Sequence, residues 1–511
     1  MDAKRTTMDV ARLLSGAAGS VADGLGHCLF PDGSTEAVLV SIIQQKNGRI
    51  AELETQATQL KSEITQVKAL VGDLQAQVAR LMKNSSTSSK PPSSDIVKPP
   101  KPPAPKGGGK IGGQPGHPRH QREPFTPDEI DRVIAYNLKK CPDCGGPVRL
   151  ATFVAPKVFQ QIELMLQPVE VTAHRAGACQ CMQCGKIHYA PLPPQVEQGG
   201  LLGPELSALV AYLKGSCHAS FSTIRKFFRD VLKVTISRGQ LAKVIQKATA
   251  AMDAAYQQLQ KLLPSEAKLN VDETGHKEKG KTYWTWCFRA ELFTLFKIDP
   301  SRGSDVLIEV LGREFAGILG CDYFSAYRKY MGDFDVAVQF CLAHLIRDVK
   351  FLTTLPDKVT AAYGQRVLEG LRKLFHVIHR RQTMTPDRFD RALKRARDEL
   401  IAVGKRAPQR QETQNLADRF RKHGEAYFQF ITTPGIEPTN NLAEQAIRFV
   451  VLDRLVTQGT RSEQGRRWCE RIWTAIATCT QQGRSLFEYL SQAINDYFAG
   501  RPATSLLPVG A

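Results

Sequence analysis

The chain has 511 residues, with 69 Lys and Arg against 50 Asp and Glu, and a formal net charge of +19. Such an excess favours a polyanionic partner, nucleic acid first and acidic membrane second. No run of 18 apolar residues occurs, and Asp9, Asp23 and several glycines break residues 1–30 before they could form a signal peptide's apolar core. The expectation is a cytoplasmic protein whose 12 cysteines are reduced or metal-bound rather than paired as disulfides.

Residues 1–35 carry no clear period and stay unassigned. A heptad then runs through 36–83. Ile43, Ile50, Ala57, Ile64, Val71 and Val78 share one seam position. Leu39, Leu53, Leu60, Val67, Leu74 and Leu81 share the other, with Lys46 as the one charged intrusion. β-Branched residues at a and Leu at d favour a parallel two-stranded coiled coil, hence a homo-oligomer. A lone amphipathic helix packed on the protein's own core is the alternative.

Residues 84–125 read as a basic disordered linker, because Ser, Pro, Gly and Lys leave few side chains for a core. Residues 84–122 hold seven Lys and Arg against one Asp, a local net of +6. The segment serves as a tether, as a strap along DNA phosphates, or as both.

Residues 126–198 read as a zinc ribbon. Cys141-Pro-Asp-Cys144-Gly and Cys181-Met-Gln-Cys184-Gly are two matched knuckles, and four thiolates suit a tetrahedral structural Zn²⁺. A redox pair is the competing reading, and Cys179 is a fifth thiol that can replace Cys181. Val158, Phe159, Ile162, Leu164, Leu166, Val169 and Val171 alternate with polar residues, so 158–173 are expected to form strands between the knuckles.

Residues 199–262 read as helices, beginning near Pro204. The pair Ser222–Leu232 and Ser237–Ala248 can be a helix-turn-helix with Arg238, Gln240 and Lys243 in the groove, or ordinary bundle packing.

Three carboxylates organise the rest. Asp272 closes the apolar alternation of Lys-Leu-Asn-Val-Asp, and Asp322 closes Ile-Leu-Gly-Cys-Asp. Glu444 lies in Pro-Thr-Asn-Asn-Leu-Ala-Glu, where Asn440 or Asn441 can cap a short helix. Carboxylates on separate elements can hold two Mg²⁺ (or Mn²⁺) ions, hard cations that take oxygen ligands. An ion pair roughly 3.5–4 Å apart clamps the attacking and leaving oxygens of a phosphodiester displacement. Glu273 should face the other side of its strand and is not chosen as a ligand. Arg448, one turn after Glu444, can orient that carboxylate or hold a phosphate.

Asp272-Glu-Thr-Gly, Asp322-Tyr through Tyr327, Cys341-Leu-Ala-His344 and Pro438-Thr-Asn-Asn-Leu-Ala-Glu444 closely resemble the DDE transposases of bacterial insertion sequences, specifically the insertion-sequence-sixty-six family. The likeness covers most of the chain, including the Ser/Lys/Pro linker and the cysteine knuckles. It implies a multidomain α+β protein: coiled coil, zinc ribbon, helical region, and a ribonuclease-H-like core. The core would span 263–344 and 433–511, with the two Asp-bearing strands side by side and a helical insertion at 345–432. Residues 345–430 carry 19 Lys and Arg against 10 Asp and Glu, an excess that favours DNA contact.

The resemblance further implies a nucleoid-associated enzyme that cuts element ends, joins them to target DNA, and works with or without accessory proteins. Cys341 and His344 form a weak metal signal by themselves, and similar pairs follow the second Asp in other transposases with helical insertions. A bracing role beside the site is expected of them. Two positions depart from the family: Gln445 stands where Arg is common, and His276 where an aromatic residue is common. The rival readings are a non-catalytic zinc and coiled-coil DNA-binding regulator, and a structure-specific nuclease of the same fold.

Overall fold

The computed structural model describes residues 34–83 and 123–508, apart from 152, 166, 167 and 185. The expected linker, except for its last three residues, therefore lies outside the described residues. Two compact units are present, and residues 34–83, 349–368 and 407–414 make up the first.

In that unit, helix α1 (Ser34–Leu81) runs unbroken for 48 residues, as the heptad requires. Its seam side chains, Ile43, Ile50, Leu53, Leu60, Ile64, Val67, Val71, Leu74 and Val78, are each about half exposed. At its end Arg80 ion-pairs with Glu412, and the Lys83 ammonium lies 4.5 Å from the centre of the Phe351 ring.

The second unit begins with a small hairpin of β1 (Ala178–Gln180) and β2 (Ile187–Tyr189). The strands expected at 158–173 are absent from the described residues there. Val158, Phe159, Ile162 and Leu164 are exposed, and alternation yields a strand only where a neighbour takes up the backbone N–H and C=O groups. Helices α2 (Pro204–Gly215), α3 (Phe221–Asp230) and α4 (Arg238–Leu262) follow. A capping box starts α4: the Ser237 hydroxyl accepts from the Gln240 amide, and the Gln240 side chain accepts from the Ser237 amide. Its apolar stripe, from Leu241 through Ala248 and Met252 to Leu259, is buried.

A five-stranded mixed sheet comes next. Strands β3 (Lys268–Glu278) and β4 (Lys281–Arg289) form an antiparallel hairpin. Its two-residue turn, Lys279-Gly280, has positive φ at both positions, the geometry that matches strand twist. Strand β5 (Thr294–Asp299) adds antiparallel to β4. After α5 (Ser304–Leu311) the chain returns as β6 (Ile318–Cys321), parallel to β3. Helix α6 (Ser325–Phe334) leads to β7 (Val338–Phe340), parallel to β6, giving the order β5-β4-β3-β6-β7. In the β3–β6 ladder Asn270 pairs with Gly320, and a Cβ at 320 would stand only 2.6 Å from the Asn270 amide nitrogen.

Helices α7 (Leu342–Thr353), α8 (Lys358–His379), α9 (Pro386–Lys405) and α10 (Gln411–His423) bear out the helical reading of 345–430. Three helices complete the chain: α11 (Asn441–Thr457), α12 (Glu463–Gln482) and α13 (Leu486–Phe498). Helix α12 seals the open edge of the sheet. Thr478, Thr474 and Glu470, one helical turn apart, accept from the amides of Thr294, Phe296 and Ile298 at 3.1, 3.0 and 2.8 Å. The edge N–H groups of β5 are thereby satisfied, and the edge cannot template another strand. The whole is a multidomain α+β architecture. No helix among the described residues is long and apolar enough to cross a membrane.

Candidate active site

The parallel ladder of β3 and β6 sets the first two carboxylates in step. Asn270 and Gly320 are its last paired residues, and Asp272 and Asp322 each stand two residues further on. Side chains two apart share a face, so both carboxylates leave the sheet on the side of Asn270, from strands about 4.8 Å apart. The Asp272 carboxylate accepts from the Glu273 amide at 2.9 Å, and that of Asp322 from the Phe324 amide at 2.8 Å.

Glu444 lies in the first turn of α11, a helix of 17 residues rather than a short one. Asn440 stands at the cap, but its side chain makes no cap bond. It accepts from the Asn270 side-chain amide at 2.9 Å and donates to the Val271 carbonyl at 2.8 Å. The Asn440 backbone amide donates to Cys341 Sγ at 3.2 Å. One residue, 1% exposed, thus ties the strand of Asp272, the end of β7 and the helix of Glu444 together.

Burial is the main electrostatic fact here. It raises the carboxyl of Asp272 well above the usual range, with Glu273, Asp322 and Glu444 adding repulsion. Asp322 is also raised by burial, against partial relief from His344, the Phe324 amide and Arg302. Asp272 thus feels both Asp322 and Glu444 as repelling charges, and Glu444 Oε1 is buried without a hydrogen-bond partner among the described residues, though the oxygens of the three do not all lie within 4.8 Å of one another.

Glu273 does turn to the opposite face, as alternation predicts. There it accepts from Arg302 Nε and Nη2 at 3.0 and 2.8 Å and from the Tyr327 hydroxyl. Burial and the charge of Asp322 still push it up to about 7. The Arg302 guanidinium lies 4.4 Å from the Trp284 ring centre and 3.9 Å from that of Phe324. Arg302 therefore braces the loop after Asp322 against β3, a role no local motif announces.

Cys341 precedes α7, and His344 sits one turn in. Both are buried, and the His344 Nδ1 atom faces Glu444 Oε1 at 3.5 Å. Arg347, one turn further, approaches the other oxygen of Glu444 at 3.4 Å. Sequence spacing favours Arg448 for this position, but Arg448 is exposed on α11. Sequence reasoning misses Arg347 because its link to Glu444 spans 97 residues; the signal available is its i+3 spacing from His344.

The two cysteine knuckles share one design. Cys141 and Cys181 each donate their amide to a carbonyl five residues on, Gly146 at 2.9 Å and Lys186 at 2.8 Å. Lys140 bridges Pro147 as Gln180 pairs with Ile187. Within each turn the amides of Asp143 and Cys144, or Gln183 and Cys184, hold the first thiol below its ordinary pKa, led by the second cysteine's amide. Among the described residues the four sulfurs are not gathered as one cluster; the one group of three metal-capable side chains within 4.8 Å is Cys341, His344 and Glu444.

Of the expected groove residues, Arg238 donates to Ser222 Oγ at 2.8 Å and Gln240 is engaged in the capping box, while Lys243 is exposed.

Among known proteins, residues 199–467 match the family described as Transposase IS66 family, a span containing all three carboxylates. Residues 43–123 match a family of unknown function, DUF6444. An uncharacterized protein of Sinorhizobium fredii, y4hP, is 23% identical over 403 residues, covering 71% of either chain.

Proposed function

The chain belongs to the IS66 transposase family, and from that premise we propose that it cuts and joins DNA strands at Asp272, Asp322 and Glu444. The observation that carries this reading is the in-step placement of Asp272 and Asp322 beyond the β3–β6 ladder, with Glu444 fastened to the same strand through Asn440. Three antiparallel strands followed by two parallel ones, with the acidic pair on adjacent strands, support a ribonuclease-H-like core interrupted by helices α7 to α10.

Asp272, Asp322 and Glu444 would hold Mg²⁺ or Mn²⁺, two ions per site, which supply charge neutralisation and an activated oxygen nucleophile for in-line displacement. The chain's own part is to hold the carboxylates fixed. The amides of Glu273 and Phe324 bind one oxygen of each Asp, and His344 and Arg347 bracket Glu444. Arg302, pinned between two rings and on Glu273, keeps the loop after Asp322 from drifting. Water nicks the element end first; the freed 3′-OH then attacks target DNA by the same displacement. No covalent protein–DNA intermediate is needed.

The matched knuckles at Cys141/Cys144 and Cys181/Cys184 support a structural Zn²⁺ shared between them. The half-exposed seam of α1 supports pairing with a second copy along 36–83. The test is a strand-transfer assay with Mg²⁺ and DNA carrying the candidate terminal repeats. Joined products that vanish in Asp272→Asn establish the activity. Cutting without joining would make the protein a nuclease of this architecture, and DNA binding without cutting would make it a regulator.

A further inference from the structure

A group of three metal-capable side chains with softer donors includes Glu444, one of the three proposed catalytic carboxylates. Cys341 Sγ, His344 nitrogen and a Glu444 oxygen all lie within 4.8 Å of one another. Cys341 is 2% and His344 7% exposed, so neither is a surface residue that met a carboxylate by chance. His344 Nδ1 and Glu444 Oε1 are both buried, face each other at 3.5 Å, and lack a hydrogen-bond partner among the described residues. Buried polar atoms are almost always paired, so two orphans aimed into one space indicate something that the space is shaped to receive.

The surroundings suit a metal rather than a water. Cys341 stands just before α7, where the amides of Asn440, His344 and Ala343 converge on its sulfur and favour the thiolate. Burial outweighs these amides and pushes the thiol up to about 11, which a bound cation reverses. The buried His344 ring turns Nδ1 toward Glu444 Oε1, which makes that nitrogen available as a ligand on the same side as the carboxylate. Arg347 takes the other oxygen of Glu444 and leaves Oε1 facing His344. One sulfur, one imidazole nitrogen and one carboxylate oxygen make a borderline-soft set, which selects Zn²⁺ over Mg²⁺.

We propose that Cys341, His344 and Glu444 form a Zn²⁺ site distinct from the all-oxygen centre, and that filling it withdraws Glu444 from that centre and silences it. Binding displaces one proton from the Cys341 thiol to solvent as the sulfur–metal bond forms, and no redox change is involved. The silencing half rests on the function proposed above; the binding half does not.

The experiment uses the full chain, Cys341→Ser and His344→Asn, each loaded with Zn²⁺ or Co²⁺ and checked for folding by circular dichroism. The expected result is a loss of about one zinc ion per chain in both variants, following the one-ion rule for such ligand sets. With Co²⁺, the difference between the full chain and Cys341→Ser should be a single-thiolate charge-transfer band. Should Cys341→Ser misfold, His344→Asn carries the same readout with every cysteine intact. Equal metal content and equal cobalt spectra in the three proteins would overturn the site. For silencing, Zn²⁺ added to a Mg²⁺-supported cleavage assay should inhibit the wild type. Cys341→Ser, compared with its own Mg²⁺-supported rate, should require on the order of 10- to 100-fold more zinc, the scale on which changes at a metal site act. Zinc bound at the three residues without inhibition would overturn the silencing. Absence of any cleavage with Mg²⁺ would refute the proposed function, and the silencing with it, while metal content still reads the site.

Discussion

The Asn440 side-chain amide donates to the Val271 carbonyl at 2.8 Å, and this bond couples the helix of Glu444 to the strand of Asp272. Replacing Asn440 by Ala leaves that buried carbonyl without this donor and takes the acceptor from the part-buried Asn270 amide. A loss of about 1–3 kcal/mol is expected in denaturant unfolding, the usual penalty for an orphaned buried group. Cleavage turnover should fall more than DNA affinity, since the displaced groups are carboxylates rather than phosphate contacts. Equal losses in turnover and affinity would mean that Asn440 merely stabilises the fold.

Asp272→Asn should separate stability from activity. The wild-type carboxyl is raised by burial and by three neighbouring carboxylates, so a neutral amide removes repulsion. The metal-free variant should be more stable than the wild type in denaturant unfolding. It should be inactive in cleavage, and Mg²⁺ should no longer raise its melting temperature. A variant that still gains stability from Mg²⁺ would remove Asp272 from the ligand set.

His276 provides the pH dependence. Burial first, then Arg454 and Arg466, push its pKa down to about 4 from an ordinary value near 6.5. The unfolded chain takes up a proton between those values and the native chain does not. Stability from this group is therefore complete above about 6.5 and lost as the pH falls toward 4, by up to roughly 3 kcal/mol. His276→Phe, which also removes an Nδ1 atom without a hydrogen-bond partner among the described residues, should flatten unfolding free energy against pH across that window. An unchanged slope would assign the acid sensitivity to other groups.

Charge on the helical insertion is expected to contact DNA. Arg397 pairs with Glu425 at 2.6 Å and is a poor candidate. Arg388, Arg391 and Arg395 are exposed and fall on one face of α9. Changing all three to Ala should flatten the plot of log K against log salt by roughly 0.9 for each phosphate that is no longer neutralised. If the slope is unaltered, this face serves solubility.

Zinc at the knuckles is checked by metal analysis. Cys141→Ser combined with Cys144→Ser should remove about one Zn²⁺ per chain. Retention of full zinc content would leave these turns as structural loops.

Sequence periodicity reveals elements whose signal is local. The heptad of α1, the apolar runs ending at Asp272 and Asp322, and the helices within 345–430 can all be read from nearest neighbours. Bonds between distant residues cannot. Asn440 and Val271 are 169 positions apart, and the cap position of Asn440 suggests a local bond that its side chain does not make. Arg302 and Glu273 meet only because β3 and the β5–α5 loop come together. The strands expected at 158–173 show the reverse error, since alternation describes a strand's faces and not the presence of a partner.

Gly320 limits how this centre can drift. A methyl group there would stand 2.6 Å from the Asn270 amide, and Asn270 is bonded to Asn440. Even Gly320→Ala must displace Asn270 and, through it, the clamp on the Glu444 helix. Shortening Asn270 to Ser would make room but forfeit that bond. The two positions are therefore epistatic: each substitution is judged by what the other already carries, and a double-mutant cycle should be far from additive. Divergence at this corner has to proceed by paired replacement, so a neutral path between two working versions passes through a weaker intermediate.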